Sequence, residues 1–541
     1  MPKCFIISLG GTGIRILEKL TYLMAAGSAI DDVLEGVSLK EWDFVPMIVD
    51  FDKNNPDFTS CNQLLEEYYL VHKKAQAHNA TNSNNSFFRY NILKLNDLNE
   101  HMISNGFVVN IQERKQHLAD IIGYTYLYTK NDLQEIQQLT DLLFDDEELQ
   151  MPLDKGFQGK SNIAPFALEQ LVHHQDFQLL TKILSSEDRV FILGSSFGGM
   201  ASTALPRFLN ILRFGKNTVN KTSNNQIKIG VLLTNPYFNL TKIRTKSSIR
   251  VNSNDFIGKT KAALKYFEYN IQEANALYSI GDDSKDWASF DHYQDKKVTK
   301  NKAQPLELFG ALSLFHFLNQ NDTQLPINHT RFFRYCVKIE GNKKIYFKHF
   351  DAHQPSSRWI KLPLTLFYIA SILMIWGRRY LNKYELFPKA DLVTKKNNFF
   401  LGSKTDDSFY RGDFFKAVES FMEKFLEFVQ ELETTNDPVF SPFETNLGKK
   451  LLTEGFPPIN DLIRESPISK FKLMDEVMAT TSKSQAITVV NLMNHMVQAA
   501  TDVSQRLNRN EYKPLRMLEF LHQGIYSFLD KYEHEFVTIN K

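Results

Sequence analysis

Cysteine is scarce in this chain. There are three in 541 residues, at Cys4, Cys61 and Cys336. Odd in number and far apart, they exclude a disulfide framework and a cysteine-based metal site, and they fit a reducing compartment. Charge of one sign is not in excess either, with 63 Lys and Arg against 62 Asp and Glu. Global basicity therefore does not indicate nucleic acid or an anionic membrane as a partner. Long apolar runs are missing too. The longest, Leu362 to Trp376, spans 15 residues and contains Pro363, Thr365 and Ser371, which is short for a membrane span and reads as a buried helix. The opening MPKCFIISLGG lacks a signal-like apolar segment with a cleavage site, so an unsecreted, cytoplasmic chain is expected. Tryptophan is rare, 4 against 43 Phe; with many Asn and Lys this hints at an AT-rich bacterial genome and says nothing of mechanism.

The rest is ordinary for a soluble protein. At 43% hydrophobic and 23% charged residues, the chain can bury the cores of two or three domains. Its organising stretch is Val190 to Pro206, VFILGSSFGGMASTALP. A short β-branched run, Val190 to Leu193, reads as a strand covered on both faces. Gly194, Ser195, Ser196, Gly198, Gly199 and Met200 follow, and a helix begins near Ala201. Such a loop exposes backbone amides at a helix N-terminus, which favours anions. It reads equally as a strand-to-helix turn with small residues for packing.

The same grammar recurs along the first half. Cys4 to Leu9 is a strand, followed by Gly10, Gly11, Thr12 and Gly13 and a helix; the spacing is not G-x-G-x-x-G, so a Rossmann dinucleotide fingerprint is absent. The strand Phe44 to Val49 ends in Asp50 and Asp52, suited to a ribose, to a metal-bound water or to a turn. Asp145 to Glu148 is an acidic cluster read as a solvated face or helix terminus, with no catalytic role. Gly156 and Gly159, flanked by Lys155 and Lys160, form a third glycine-bearing loop. Ile227 to Leu233 is a strand closed by Thr234, Asn235 and Pro236, and a basic loop from Lys242 to Arg250 reads as solvated surface. Ala276 to Ile280 is a strand closed by Gly281, Asp282 and Asp283. Strands alternating with helices predict an α/β fold, a doubly wound, mostly parallel sheet with ligands at the carboxyl ends of its strands.

In order, these loops resemble the nucleotide loops of the tubulin and FtsZ family, in its divergent bacterial tubulin-like branch. Ser8 to Gly13 matches the first loop, Val49 to Asp52 the second, and Gly156 to Gly159 the third. Phe197 to Thr203 falls on the G-G-G-T-G-[ST]-G signature, Thr234 to Phe238 on T-K-P-F, and Pro305 to Leu318 on the central helix. The resemblance covers residues 1 to about 335. It implies a nucleotide-binding domain over 1–300, a central helix over 301–320 and a second α+β domain over 321–404. It also implies GTP or GDP, with or without Mg, bound by these loops. Asn235 belongs to that set, and Asp282 and Glu307 are the candidates for base recognition, since Arg15 falls near an asparagine of FtsZ. The departures matter as well. In the signature only Gly198 and Gly199 survive, so Phe197 and Met200 are expected to crowd the phosphates. The water-positioning N-x-D-x-x-D loop becomes Asn328 to Phe333, with Thr330 and Phe333 in place of both acids. Without them a general-base contribution of roughly 10² to 10⁴ is missing, so hydrolysis is expected to be slow or absent, and Asn328 is the one catalytic candidate.

Beyond this the chain gives patterns only. Ile345 to His353 alternates like a strand that puts His349, Asp351 and His353 on one face, read as a polar face and not as a metal site. Phe414, Val418, Phe421, Phe425, Phe428 and Leu432 form an amphipathic helix, and Ile487 to Val503 and Leu515 to Leu529 add helical patterns. Residues 405–541 are thus expected as an all-helical extension that packs on the chain, joins subunits or engages a protein partner. Two functions follow: a head-to-tail filament that binds GTP, or a non-polymerising nucleotide-sensing or scaffold subunit of a multi-protein bacterial system, antiphage ones included. A Rossmann oxidoreductase is the third reading, and it lacks a catalytic dyad.

Overall fold

The computed structural model describes residues 1–27, 42–52, 55–76, 86–109, 117–129, 133–153, 157, 160–214, 226–240, 254–282, 288–290, 300–326, 329–336, 355–381, 409, 411–434, 440–443 and 512–537, with scattered positions between 492 and 507. In chain order its main elements are β1 (Lys3–Leu9), α1 (Gly10–Ala26), β2 (Asp43–Val49), α2 (Pro56–Ala75), α3 (Tyr124–Thr129), α4 (Gln134–Leu143), α5 (Ala164–His173), β3 (Arg189–Ser195), α6 (Ala201–Phe214), β4 (Lys228–Thr234) and β5 (Phe238–Leu240). They continue with α7 (Asn254–Asn270), β6 (Ala276–Gly281), β7 (Ala288–Phe290), α8 (Pro305–Asn319), β8 (Arg331–Cys336), α9 (Pro355–Leu381), α10 (Asp413–Thr434) and α11 (Lys513–Val537).

The fold is α/β. Six strands form one sheet in the order β2-β1-β3-β4-β6-β8, every pair parallel. The strands are apolar throughout because both faces are covered, and alternation then divides them between two cores. Cys4, Ile6, Phe191 and Leu193 face a core built with α1, α2, α8, α9, α10 and α11. Phe5, Ile7, Val190 and Ile192 face the other, built with α5, α6 and α7. The chain leaves β1 for β2 on one side and resumes at β3 on the other, so the strand order reverses between β1 and β3. At that point the helices following β1 and β3 lie on opposite faces and leave a crevice beyond the carboxyl ends of the strands.

Helix α8 spans the sheet from end to end. Its first turn meets Arg15 of α1, whose Nε lies 2.6 Å from Glu307 Oε1. At its other end, Arg189, the first residue of β3, donates to the carbonyls of Phe317 (2.8 Å), Leu318 (2.9 Å) and Gln320 (2.8 Å). It therefore runs against the strands, away from the crevice, and delivers the chain to the opposite end of the sheet.

Two expectations change. The segment assigned to a second domain over 321–404 enters the main sheet: β8 pairs with β6, Arg331 opposite Ala276. The reason is a period of two in RFFRYC, which turns Phe333 onto Tyr278 (4.8 Å, 13°) and leaves Phe332 outside, 60% exposed. Helix α9 likewise joins the α1 core and not a second one, and α10 packs on the same core, as a helical extension that packs on the chain would. Tyr22 of α1 sits among Phe421 (5.6 Å), Phe425 (5.5 Å) and Phe428 (5.1 Å, stacked) of α10, so the apolar face of this helix is consumed within the chain. Leu362 to Trp376 lies inside α9, and among the described residues no helix is long and apolar enough to cross a membrane. The His349, Asp351 and His353 face, the loop Lys242 to Arg250 and most of Ile487 to Val503 lie outside the described residues.

Candidate functional site

The crevice is built from helix beginnings. Helix α1 starts at Gly10 with no intervening loop, so Gly10 to Gly13 are its first turn. Gly10 holds φ +72°, and a side chain there would come within 3.4 Å of Met200 Cβ. The two glycine segments therefore touch across the switch point. Gly13 serves packing: a Cβ on it would strike the Leu193 carbonyl oxygen of β3. Leu9 at the N-cap makes no side-chain cap hydrogen bond, so the amides of this turn, which have no intrahelical acceptor, face the crevice uncapped.

The second helix beginning is that of α6. Gly194 and Ser195 end β3, and Ser196 to Met200 form the turn. Gly198 N donates to Ser195 Oγ (3.1 Å). Ser196 Oγ lies within hydrogen-bond reach of Thr234 O (3.2 Å), Asn235 Oδ1 (3.1 Å) and Thr260 Oγ1 (3.2 Å). Asn235 donates from its backbone to Ile280 O (2.7 Å) and from its side chain to Ser279 Oγ (3.2 Å), so it ties the ends of β3, β4 and β6 together. Phe197, expected to crowd the phosphates, is turned away into an aromatic cluster with Phe256 (4.9 Å), Phe238 (5.4 Å) and Tyr237 (6.3 Å). Its apolar ring gains more from that burial than from a polar crevice.

The third helix beginning, that of α2, carries no glycine loop and is not among the expected nucleotide loops. Asn55 caps α2 by accepting from Asp57 N (2.9 Å), Pro56 holds the first helical position, and a Cβ on Gly11 would lie 3.3 Å from Asn55 Nδ2. The run Asn-Pro-Asp is itself a helix-start signal that could have shown it. Beside it Asp50 is buried, and its Oδ1 accepts from Asp52 N (3.0 Å). Burial, reinforced by Asp52 and Asp57, pushes the Asp50 carboxyl up to about 7. It thus titrates near neutrality, and a cation bound there would favour its charged form.

Glu307 and Arg15 are already committed to each other. Glu307 is fully buried. Its Oε1 accepts from Arg15 Nε (2.6 Å) and from Tyr237 OH (3.0 Å), and its Oε2 from Gln304 N (3.2 Å). Arg15 also reaches Asp57 (3.2 Å), Asn301 O (3.1 Å) and Lys302 O (2.7 Å) and lies over the Phe290 ring (4.6 Å). Three donors from the protein thus already occupy the Glu307 carboxylate, the residue expected to read the base. The network continues inward. Lys19 and Lys300 both pair with Glu18, and Glu431 of α10 accepts from Ala303 N (2.9 Å). Burial alone raises the Glu18 carboxyl, but the two ammonium groups outweigh it and hold it well below the usual carboxylate range.

Asp282 follows β6 at the same end of the sheet and is partly exposed. Gly156, Gly159 and Asn328 lie outside the described residues. Of the third loop, Lys160 is placed: its ammonium pairs with Glu148 (3.0 Å) and lies 3.9 Å from Asp145, and Asp145 caps the short helix Asp146–Leu149. Among the described residues no cluster of three or more His, Cys, Asp or Glu could hold a metal ion. Comparison with protein-family models finds no match for this chain, and comparisons with curated proteins and with solved structures find none either.

Proposed function

We propose that the chain binds a nucleotide, GTP or GDP, by its phosphates in the switch-point crevice, as proteins of the tubulin and FtsZ family do. The supporting observation is the meeting of the uncapped first turn of α1 with the turn that starts α6, Gly10 against Met200. Two helix beginnings aimed at one crevice are suited to a polyphosphate. Asp50 and Asp52 would supply the carboxylates for a Mg ion or its water on the acidic side. Hydrolysis is slow or absent, because no carboxylate stands at Thr330 or Phe333. Self-association is head to tail, the crevice of one copy meeting the far end of the sheet of the next. The direction of α8 supports this, since it carries the chain from the crevice to that end, where β8 starts.

The test is to denature purified protein and identify the nucleotide released, then to titrate GTP and GDP with and without Mg. Gly11→Asp, which sets a carboxylate among the first-turn amides, should abolish binding. No released nucleotide and equal binding by the variant would refute the reading, and turnover near the typical enzyme value of about 10 per second would refute slow hydrolysis. Sedimentation with and without nucleotide, for wild type and Phe332→Asp, tests assembly.

One observation favours a second reading, the non-polymerising sensor or scaffold subunit. The side of the crevice next to α8 is filled by Arg15, Glu307, Tyr237 and Phe290, which leaves the phosphates better served than a base. A chain that stays monomeric with nucleotide bound decides for it.

A further inference from the structure

An amphipathic helix normally hides its apolar stripe, as α10 does. Helix α4 does the reverse: Thr140 is its one buried residue. Ile136 is 51%, Leu139 54%, Leu142 81% and Leu143 51% exposed, and Tyr126 on the adjoining α3 is 58% exposed. Among the described residues fourteen large apolar side chains are exposed, and five of them lie between residues 126 and 143. Phe166 of α5 extends the patch, its ring 5.4 Å from Phe144. The two helices are held in this pose by a polar tie and not by the stripe, since Tyr124 OH donates to Asp141 Oδ1 (2.7 Å). A contiguous apolar surface on a folded chain marks an interaction site.

The surroundings of the stripe select its occupant. Residues 117–153 contain Asp120, Asp132, Glu135, Asp141, Asp145, Asp146, Glu147 and Glu148 against Lys130 alone. Glu135, Asp141, Asp145, Asp146 and Glu147 are exposed around the apolar residues. An acidic rim repels an anionic lipid surface and attracts a cationic partner. A helix of ten residues is roughly 15 Å long, the footprint of two to three turns of a second helix. We propose that α3 and α4 form the docking surface for an amphipathic helix of a partner protein, apolar on one side and rich in Lys and Arg along its flanks, bound apolar face to apolar face. This surface is separate from the crevice and does not depend on what the crevice holds.

The probe is a labelled peptide of about 16 residues with Leu at the i, i+3, i+4 and i+7 positions and Lys elsewhere, beside a twin carrying Glu in place of Lys. Fluorescence anisotropy with the full chain should show binding of the Lys peptide that weakens with salt, and binding of the Glu twin weaker by about tenfold or more. Leu139→Asp with Leu142→Asp should weaken the Lys peptide by at least about tenfold, with an unchanged thermal melt because both positions are outside the core. Asp145→Lys with Asp146→Lys should remove most of its salt dependence. Equal binding of the two peptides, or of the Lys peptide by wild type and the Leu variant, overturns the proposal. So does a wild type that sediments as a dimer and becomes monomeric on Leu142→Asp, which makes the stripe a contact between copies. Binding to vesicles of anionic lipid that is lost in the same variant overturns it in favour of a membrane.

Discussion

The two faces of the sheet are covered by different chemistry. On the face of α1, the core holds Arg15, Glu18, Lys19, Glu307 and Glu431 among its aromatic rings, and almost every charge has a partner from a distant element. On the face of α6, the strands meet Leu205, Phe208, Leu209 and Leu212, and the buried guanidinium of Arg213 donates there to the carbonyl oxygens of Glu273 and Ile227 and to Asn275 Oδ1, neutral acceptors where the α1 face sets charge against charge. Apolar burial tolerates small shifts, because dispersion falls off gradually and has no preferred direction. A buried ionic network tolerates few, since each partner removed leaves another charge in low dielectric. The face next to α1 is therefore the one in which position is specified most sharply, and it borders the crevice.

The largest effect expected is from Lys19→Ala. It strips a fully buried ammonium from Glu18 and leaves a lone cation, Lys300, against that carboxylate, at a cost of about 3–5 kcal/mol in urea unfolding. Replacing Glu18 and Lys19 together by Met should recover much of that loss. Phe208→Ala on the other face should cost a similar about 3–5 kcal/mol by cavity formation, but equally at pH 5 and pH 8. If both variants share one pH profile, the distinction between the faces is wrong.

Smaller in size is Gly13→Ala, where the new methyl group meets the Leu193 carbonyl. A loss of about 1–3 kcal/mol is expected, together with weakened nucleotide binding because α1 must back away from β3. Next comes the pH profile itself. His522 of α11 is buried with neither ring nitrogen hydrogen-bonded, and burial, aided by Arg89, pushes it down to about 3. Below an ordinary histidine value of about 6.5 the unfolded chain takes up a proton that the folded chain refuses until about pH 3, so stability falls across that window as pH drops. Glu18 adds to the loss lower down: its contribution is present above about pH 4.3 and disappears as pH falls toward its depressed value. His522→Gln should flatten the upper part of the profile, as read from unfolding midpoints.

The opposite sign belongs to Asp50, whose carboxyl is raised and not depressed. The unfolded chain ionises it from about pH 4 while the folded chain resists until about 7, so rising pH costs stability between those values. Asp50→Asn should then stabilise the protein at pH 8 and leave it unchanged at pH 3.5. Equal midpoints at pH 8 would remove the raised carboxyl from the account.

The strands of the main sheet up to β6 were legible because each is a short apolar run closed by Gly, Asp or Asn, and their order follows from the alternation with helices. The meeting of Gly10 with Met200 follows from the same grammar. Strand β8 was legible in principle, since Phe333 and Arg334 alternate as a half-buried strand should, but resemblance assigned the segment to a loop and hid the pattern. Arg15 and Glu307 could not be paired from sequence, being 292 positions apart, and a charged residue inside an apolar helix does not announce its partner. The contrast between α4 and α10 was equally invisible. Both carry an apolar stripe at helical spacing, and periodicity reports that a stripe exists without saying what covers it.

The order of the strands also sets a timetable. β1 lies in the interior of the sheet, yet its neighbour β3 is made much later: the Lys3 amide donates to the Asp188 carboxylate (2.7 Å) across 185 positions. At roughly 5–20 residues per second, ribosomes take about 10–40 s to cover that distance. Throughout that time KCFIISL, with one charge at its start, has β2 on one side and an open edge on the other. An apolar strand edge of this kind recruits other strands. Safe synthesis of this protein therefore depends on how quickly β3 leaves the exit tunnel, and slow translation between residues 50 and 195 should lower its soluble yield more than the same delay placed after β4.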